Sequence, residues 1–202
     1  MNAKVIKKFI VSAFFDYTEM IYGIYEEMRK PTELYVHHIL KRVIFNTKWE
    51  NCFGLENNEL FAHRLLIGQS VDEFIRKLFI DFFGSKFGYD FEILDDVVRL
   101  TLHGITVLGK PDIIIWDRKN DTIYILEVKF TFRYKPNWYW IIQTQIYNYL
   151  AKRFYGKDVK TFLIVAWKYG LDVHEIPEND KSIEKLLSDV IKDYKRWMFY
   201  ED

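Results

Sequence analysis

The sequence predicts an α/β chain in which a central mixed β-sheet is flanked by helices, and three observations carry that expectation. Two isoleucine-rich runs, 113–116 and 123–126, bracket Arg118-Lys119-Asn120-Asp121, whose charges and Asn-Asp pair read as a turn; together they form a hairpin of largely buried strands. An apolar run at 160–167 follows a helical stretch at 137–154. Such a run is most simply parallel to one of the hairpin strands after a helical crossover. Helical periodicity covers both ends of the chain.

Taken in order, Lys4 to Arg29 places Val5, Phe9, Ile21, Ile24 and Met28 at helical spacing, and Pro31 ends that element. Pro31-Thr32-Glu33 reads as the start of a second helix with Leu34, Val36, Ile39, Leu40, Val43 and Ile44 as its apolar stripe. Residues 46–58 are polar and read as a surface loop carrying Trp49, Cys52 and Gly54. A third helical stretch spans 60–83. Strands follow at 91–94, 97–102 and 105–108, with His103-Gly104 as a turn. After the crossover, 172–176 adds a short edge strand. Asp180-Lys181-Ser182-Ile183 opens a last helix, amphipathic through Leu186, Leu187, Val190, Ile191, Tyr194 and Trp197.

With 202 residues, half of them hydrophobic, the chain suits one domain with a substantial core: a helical part over 1–58, a core over 60–176 and a closing helix over 180–200. Lys+Arg and Asp+Glu both number 29, so a polyanionic partner would have to meet a local basic patch. The single cysteine, Cys52, excludes a disulfide framework and a four-thiolate cluster within one chain. No apolar run approaches the ~20 residues a bilayer requires, and no cleavable leader is evident, so a cytoplasmic location is expected.

Charges at the open end of the hairpin suggest chemistry. Asp112 begins the first strand, and Glu127 and Lys129 close the second with one residue between them, so those two share a face. The antiparallel return brings all three together. An isolated Glu-x-Lys is most often a surface ion pair. Two carboxylates held this close, however, repel unless a cation lies between them, and their oxygen donors suit Mg²⁺ or Mn²⁺. An ammonium beside such an ion can assist an attacking water or neutralise charge on a phosphate.

Pro111-Asp112 followed by Glu127-Val128-Lys129 resembles the PD-(D/E)xK nuclease motif. In the following helix, Gln145-Ile146-Tyr147-Asn148-Tyr149 is similar to the Gln-hydrophobic-x-x-Tyr signature of the RecB-like exonuclease branch, and 145/149 is the favoured pair. Gln143 and Tyr147 share that spacing but put Thr144 at the hydrophobic position. By size the chain resembles the CRISPR-associated RecB-like exonucleases and their viral homologues. The resemblance covers roughly Leu66 to Ala166 and implies a restriction-endonuclease-like core with an N-terminal helical extension. It implies metal ligands at Asp112, Glu127 and the Val128 carbonyl, with Lys129 catalytic and with Gln145 and Tyr149 orienting the lysine or DNA. The branch carries a histidine ligand four residues after a glycine; here Asp72 follows Gly68 at that distance, with Glu73 as the alternative and His63 as a third candidate. A carboxylate can replace imidazole on a hard cation. Relatives with an iron–sulfur cluster use four cysteines, so no such cluster is expected, and His37-His38 read as part of an ordinary helix.

The function so implied is a Mg- or Mn-dependent DNA nuclease, an exonuclease acting on single-stranded ends. The expected partners are DNA and either a second copy of the chain or CRISPR or repair proteins. The aromatic and basic segment Phe130 to Trp140 could stack unpaired bases or pack over the core. Two alternatives stand beside this: a catalytically inactive DNA-binding or assembly subunit, and a structure-specific or restriction-type endonuclease.

Overall fold

The computed structural model describes residues 30–53, 90–131, 136–167 and 170–200, together with positions 74, 77, 78 and 81. The helix expected over 4–29 lies outside the described residues. Of the stretch 60–83, the four described positions are helical.

The strands divide between two sheets. In the smaller, β1 (Glu33–Tyr35), β4 (Ile105–Gly109) and β3 (Val98–Leu102) lie in the order β1-β4-β3, with β1 parallel to β4. In the larger, β2 (Phe91–Leu94), β5 (Ile113–Asp117), β6 (Thr122–Thr131), β7 (Asp158–Trp167) and β8 (Gly170–Glu175) run in that order. Only the β6–β7 pair is parallel there. Four helices are described: α1 (Val36–Phe45), α2 (Trp49–Cys52), α3 (Trp138–Tyr155) and α4 (Asp180–Tyr200). This is a mixed α+β architecture of the restriction-endonuclease-like kind.

The hairpin forms as its residues dictate. Ile113 to Asp117 pairs antiparallel with Thr122 to Leu126 in unbroken register. Asp117 fastens the turn: its Oδ1 accepts from the backbone N–H of Lys119 and Asn120 at 3.1 and 3.0 Å, and its Oδ2 accepts from the Asn120 amide at 2.7 Å. Asp121 takes the left-handed conformation that closes it, with φ 51°.

Beyond the hairpin, β6 continues past its pairing with β5, which ends at Leu126, through Lys129 and pairs with β7 over ten residues, so its site end is held in the sheet by β7. The crossover is α3, ended by Gly156 in the left-handed region at φ 64°. Asn148 fixes its rotation against the sheet. The buried amide donates to the Val159 carbonyl at 3.2 Å and to Thr161 Oγ1 at 2.6 Å, both on β7.

Two elements depart from expectation. The second helix begins at Val36 instead of near Pro31, because Glu33 to Tyr35 is drawn into a parallel ladder with Thr106 to Leu108. Trp49 and Cys52, expected on a surface loop, are buried in α2, where Trp49 and Phe53 pack against Tyr194 and Trp197 of α4. Their partners lie at the far end of the chain. The main core joins α1, α3 and α4 to one face of the sheets through Ile39, Ile123, Ile125, Ile146, Leu150, Leu187 and Ile191.

Candidate active site

Side chains alternate along β6, and the alternation sorts the site from the core. Leu126 and Val128 point to the face shared with Ile113, Ile115 and Ile164, while Ile123 and Ile125 point to the face covered by α3. Glu127 and Lys129 follow Ile125 at two-residue steps, so they continue the α3 face. Asp112, one residue before β5, reaches the same place: its Oδ2 accepts from the Val128 backbone N–H at 2.7 Å. Lys129 Nζ donates to Glu127 Oε1 at 2.5 Å. The three groups therefore meet at the open end of the hairpin.

Glu127 is 1% exposed, and its second oxygen, Oε2, has no hydrogen-bond partner among the described residues. Leaving a buried carboxylate oxygen unpaired is costly. Burial, and next the charge on Asp112, push the Glu127 pKa up to about 8, with Lys129 pulling the other way. Burial works against the Lys129 ammonium, but Glu127 and Asp112 outweigh it and raise the lysine above its ordinary value. The lysine stays charged.

The described residues bring together these two carboxylates and no group of three or more metal-ligating side chains. Asp72, Glu73 and His63, the candidates for a third donor, lie outside the described residues.

The two pairs that fit the helix signature have different surroundings. Gln145 is half-buried and donates to the Pro177 carbonyl at 3.1 Å, in the segment between β8 and α4. Tyr149 is buried in the core, with the Arg153 guanidinium 3.4 Å above its ring and Asp180 and Glu184 among its charged neighbours. Both turn away from the cluster. Gln143 and Tyr147 face it instead. Gln143 Nε2 donates to Tyr147 Oη at 3.0 Å, and the Tyr147 hydroxyl titrates above its usual range because it is buried and because Glu127 stands beside it.

Two features that sequence reading undervalued produce this. Thr144 lies fully buried, its hydroxyl donating to the Trp140 carbonyl at 2.6 Å, so it fills an apolar position with its polarity satisfied within the helix. Gly109 ends β4 just before Lys110-Pro111-Asp112. A Cβ there would stand 2.8 Å from Tyr147 Cε1, so the missing side chain is what lets the ring approach the strand that delivers Asp112. A glycine at the end of an otherwise apolar strand was the available signal.

The aromatic segment 130–140 divides. Phe132 to Lys135 lie outside the described residues, Trp140 is buried against Leu163, Val165 and Ile176, and Trp138 is 56% exposed. His38 is buried in α1, and no helix among the described residues is long and apolar enough to cross a membrane.

No protein-family model matches the chain, and no curated protein matches it in sequence. Solved structures do match in fold. The crystal structure of SSO0001 aligns with a TM-score of 0.59 at 16% identity, over 93% of this chain and 86% of that one. That of an alkaline exonuclease, LHK-Exo from Laribacter hongkongensis, aligns with a TM-score of 0.55 at 14% identity, over 84% of this chain and 91% of the exonuclease. The chain thus shares its fold with a nuclease.

Proposed function

We propose that the chain is a metal-dependent DNA nuclease that hydrolyses phosphodiester bonds from single-stranded ends. The carrying observation is the buried Glu127 Oε2, without a hydrogen-bond partner among the described residues, set beside Asp112 and an ammonium that stays charged. The donor set fits a hard divalent ion, Mg²⁺ or Mn²⁺.

Asp112, Glu127 and the Val128 carbonyl would hold the ion, with Asp72, or alternatively Glu73, as the further acidic donor. When bound, such an ion polarises a phosphoryl oxygen and lowers the pKa of water. The chain's own residues account for the rest. Lys129, positively charged at the edge of the cluster, neutralises charge that develops on the phosphoryl oxygens during attack. Glu127 holds the lysine in place through the 2.5 Å bond. Tyr147, fixed by Gln143 and by the gap at Gly109, closes the inner wall and keeps its proton, so it serves as a hydrogen-bond donor to Glu127 or to a phosphate oxygen. This pair, in place of Gln145 and Tyr149, is the one we assign to the RecB-like helix signature.

End-labelled single and double strands incubated with Mg²⁺, Mn²⁺ or EDTA test the reading. Metal-dependent release of short products from single strands, with closed single-stranded circles left intact, is the expected result. Cleavage that persists in EDTA, or none with either metal, would refute it.

A further inference from the structure

The catalytic assignment accounts for Gln143 and Tyr147 but not for what lies further along the same face of α3. Residues four apart share a helical face, so Tyr139, Gln143 and Tyr147 form one stripe. It begins at the Asp112/Glu127/Lys129 cluster and runs toward the N-terminus of α3, ~12 Å away at about 1.5 Å per residue. There the Tyr139 ring meets Phe45 at the end of α1, with centroids 6.0 Å apart. Phe45 is 62% exposed, and Trp138 beside Tyr139 is 56% exposed.

The helix that carries Phe45 shares its other end with the site. Tyr35, which leads into α1, pairs with Leu108, next to the Gly109 that receives the Tyr147 ring. Between the two ends, Lys41 precedes Phe45 by one turn on the same face of α1. Between the cluster and the Phe45 ring, α3 therefore places an amide and a phenol and α1 a cation.

The geometry points to a base-stacking subsite at Phe45 and Tyr139 that grips an unpaired strand a few nucleotides from the phosphodiester at Lys129. The occupant is single-stranded nucleic acid. The largely exposed Phe45 ring, backed by the partly buried Tyr139, suits the face of a base, a lysine on the same helix face suits the phosphates, and the stripe leads to the cluster where the nuclease reading puts cleavage. The subsite rests on the nuclease reading above and adds to it how the strand is held.

Binding is measured in EDTA, so that strands stay whole, with the full chain, an oligothymidylate and an abasic strand of equal length. The wild-type protein should bind the oligothymidylate more tightly than the abasic strand. Phe45→Ala should weaken binding of the oligothymidylate about tenfold, and its difference from wild type should vanish on the abasic strand. Phe45→Leu should behave as Phe45→Ala, whereas Phe45→Trp should restore affinity. Phe45 is largely exposed, so thermal melting of each variant should match wild type. Equal losses on both strands, no loss on either, or rescue by leucine would overturn the subsite and mark the rings as a surface for another apolar partner. The nuclease reading fails separately, by absence of metal-dependent cleavage in the wild-type chain, and the subsite falls with it.

Discussion

The hairpin carries a buried carboxylate at each end, and the two are treated in opposite ways. At the turn, Asp117 is 3% exposed and accepts three hydrogen bonds, chiefly from the Asn120 amide, which hold its pKa below the ordinary value. At the open end, Glu127 is 1% exposed, has among the described residues one side-chain partner and one bare oxygen, and is pushed up to about 8 by burial and by Asp112. The same two strands carry both groups. A carboxylate whose acceptor sites are filled locally serves the fold, whereas one left short of partners among the described residues is a candidate for a functional role.

The largest expected effect falls on the open end. Lys129→Ala should lower cleavage of end-labelled single strands by about 10²–10³-fold, with strand binding in EDTA kept. Unchanged cleavage would remove the lysine from the mechanism. Asp117→Ala should reverse the pattern: about 1–3 kcal/mol lost from urea-unfolding stability, and specific activity of the folded fraction retained. If the two variants resembled each other in both assays, the contrast between the hairpin ends would be broken.

The helix offers a finer test. Tyr147→Phe should reduce cleavage about tenfold, on the scale of one lost hydrogen bond to a charged group, whereas Tyr149→Phe should leave it unchanged because its ring packs beneath Arg153, away from the cluster. The opposite ranking would restore the 145/149 pair. Gly109→Ala should cost about 1–3 kcal/mol through the clash with the Tyr147 ring and should lower activity along with it.

The smallest effect is the dependence of metal-free stability on pH. Glu127 has a folded pKa above its unfolded one, so between about 4.5 and 8 the folded state binds the extra proton. Its contribution is present below 4.5 and is lost as pH rises toward 8. Asp117, with a lowered folded pKa, contributes above its unfolded value of 3.8 and loses that contribution as the solution is acidified. Urea midpoints of wild type relative to Glu127→Gln should therefore fall from pH 5 to pH 8. A flat difference would contradict the assignment.

Much of this could be read from the chain because the determinants are local. The hairpin follows from two apolar runs and an Asn-Asp turn, and Asp112, Glu127 and Lys129 meet because antiparallel pairing of adjacent strands dictates it. The face that α3 turns to the sheet is a different matter. It is set by Asn148 reaching β7 and by the room at Gly109, neither of which is a property of the helix's own periodicity. Thr144 misled because a hydroxyl satisfied within its own helix passes for apolar. Likewise β1 and α2 owe their form to β4 and α4, distant in sequence, so Glu33 to Tyr35 read as helix and Trp49 as loop.

Calorimetric titration of Mn²⁺ at pH 8 into the wild-type chain, Asp112→Asn and Glu127→Gln probes the shared-cation claim most directly. One site in the wild type, lost in both variants while each remains folded, is the predicted outcome. Binding that survives loss of either carboxylate, or that is absent from the wild type, would contradict it.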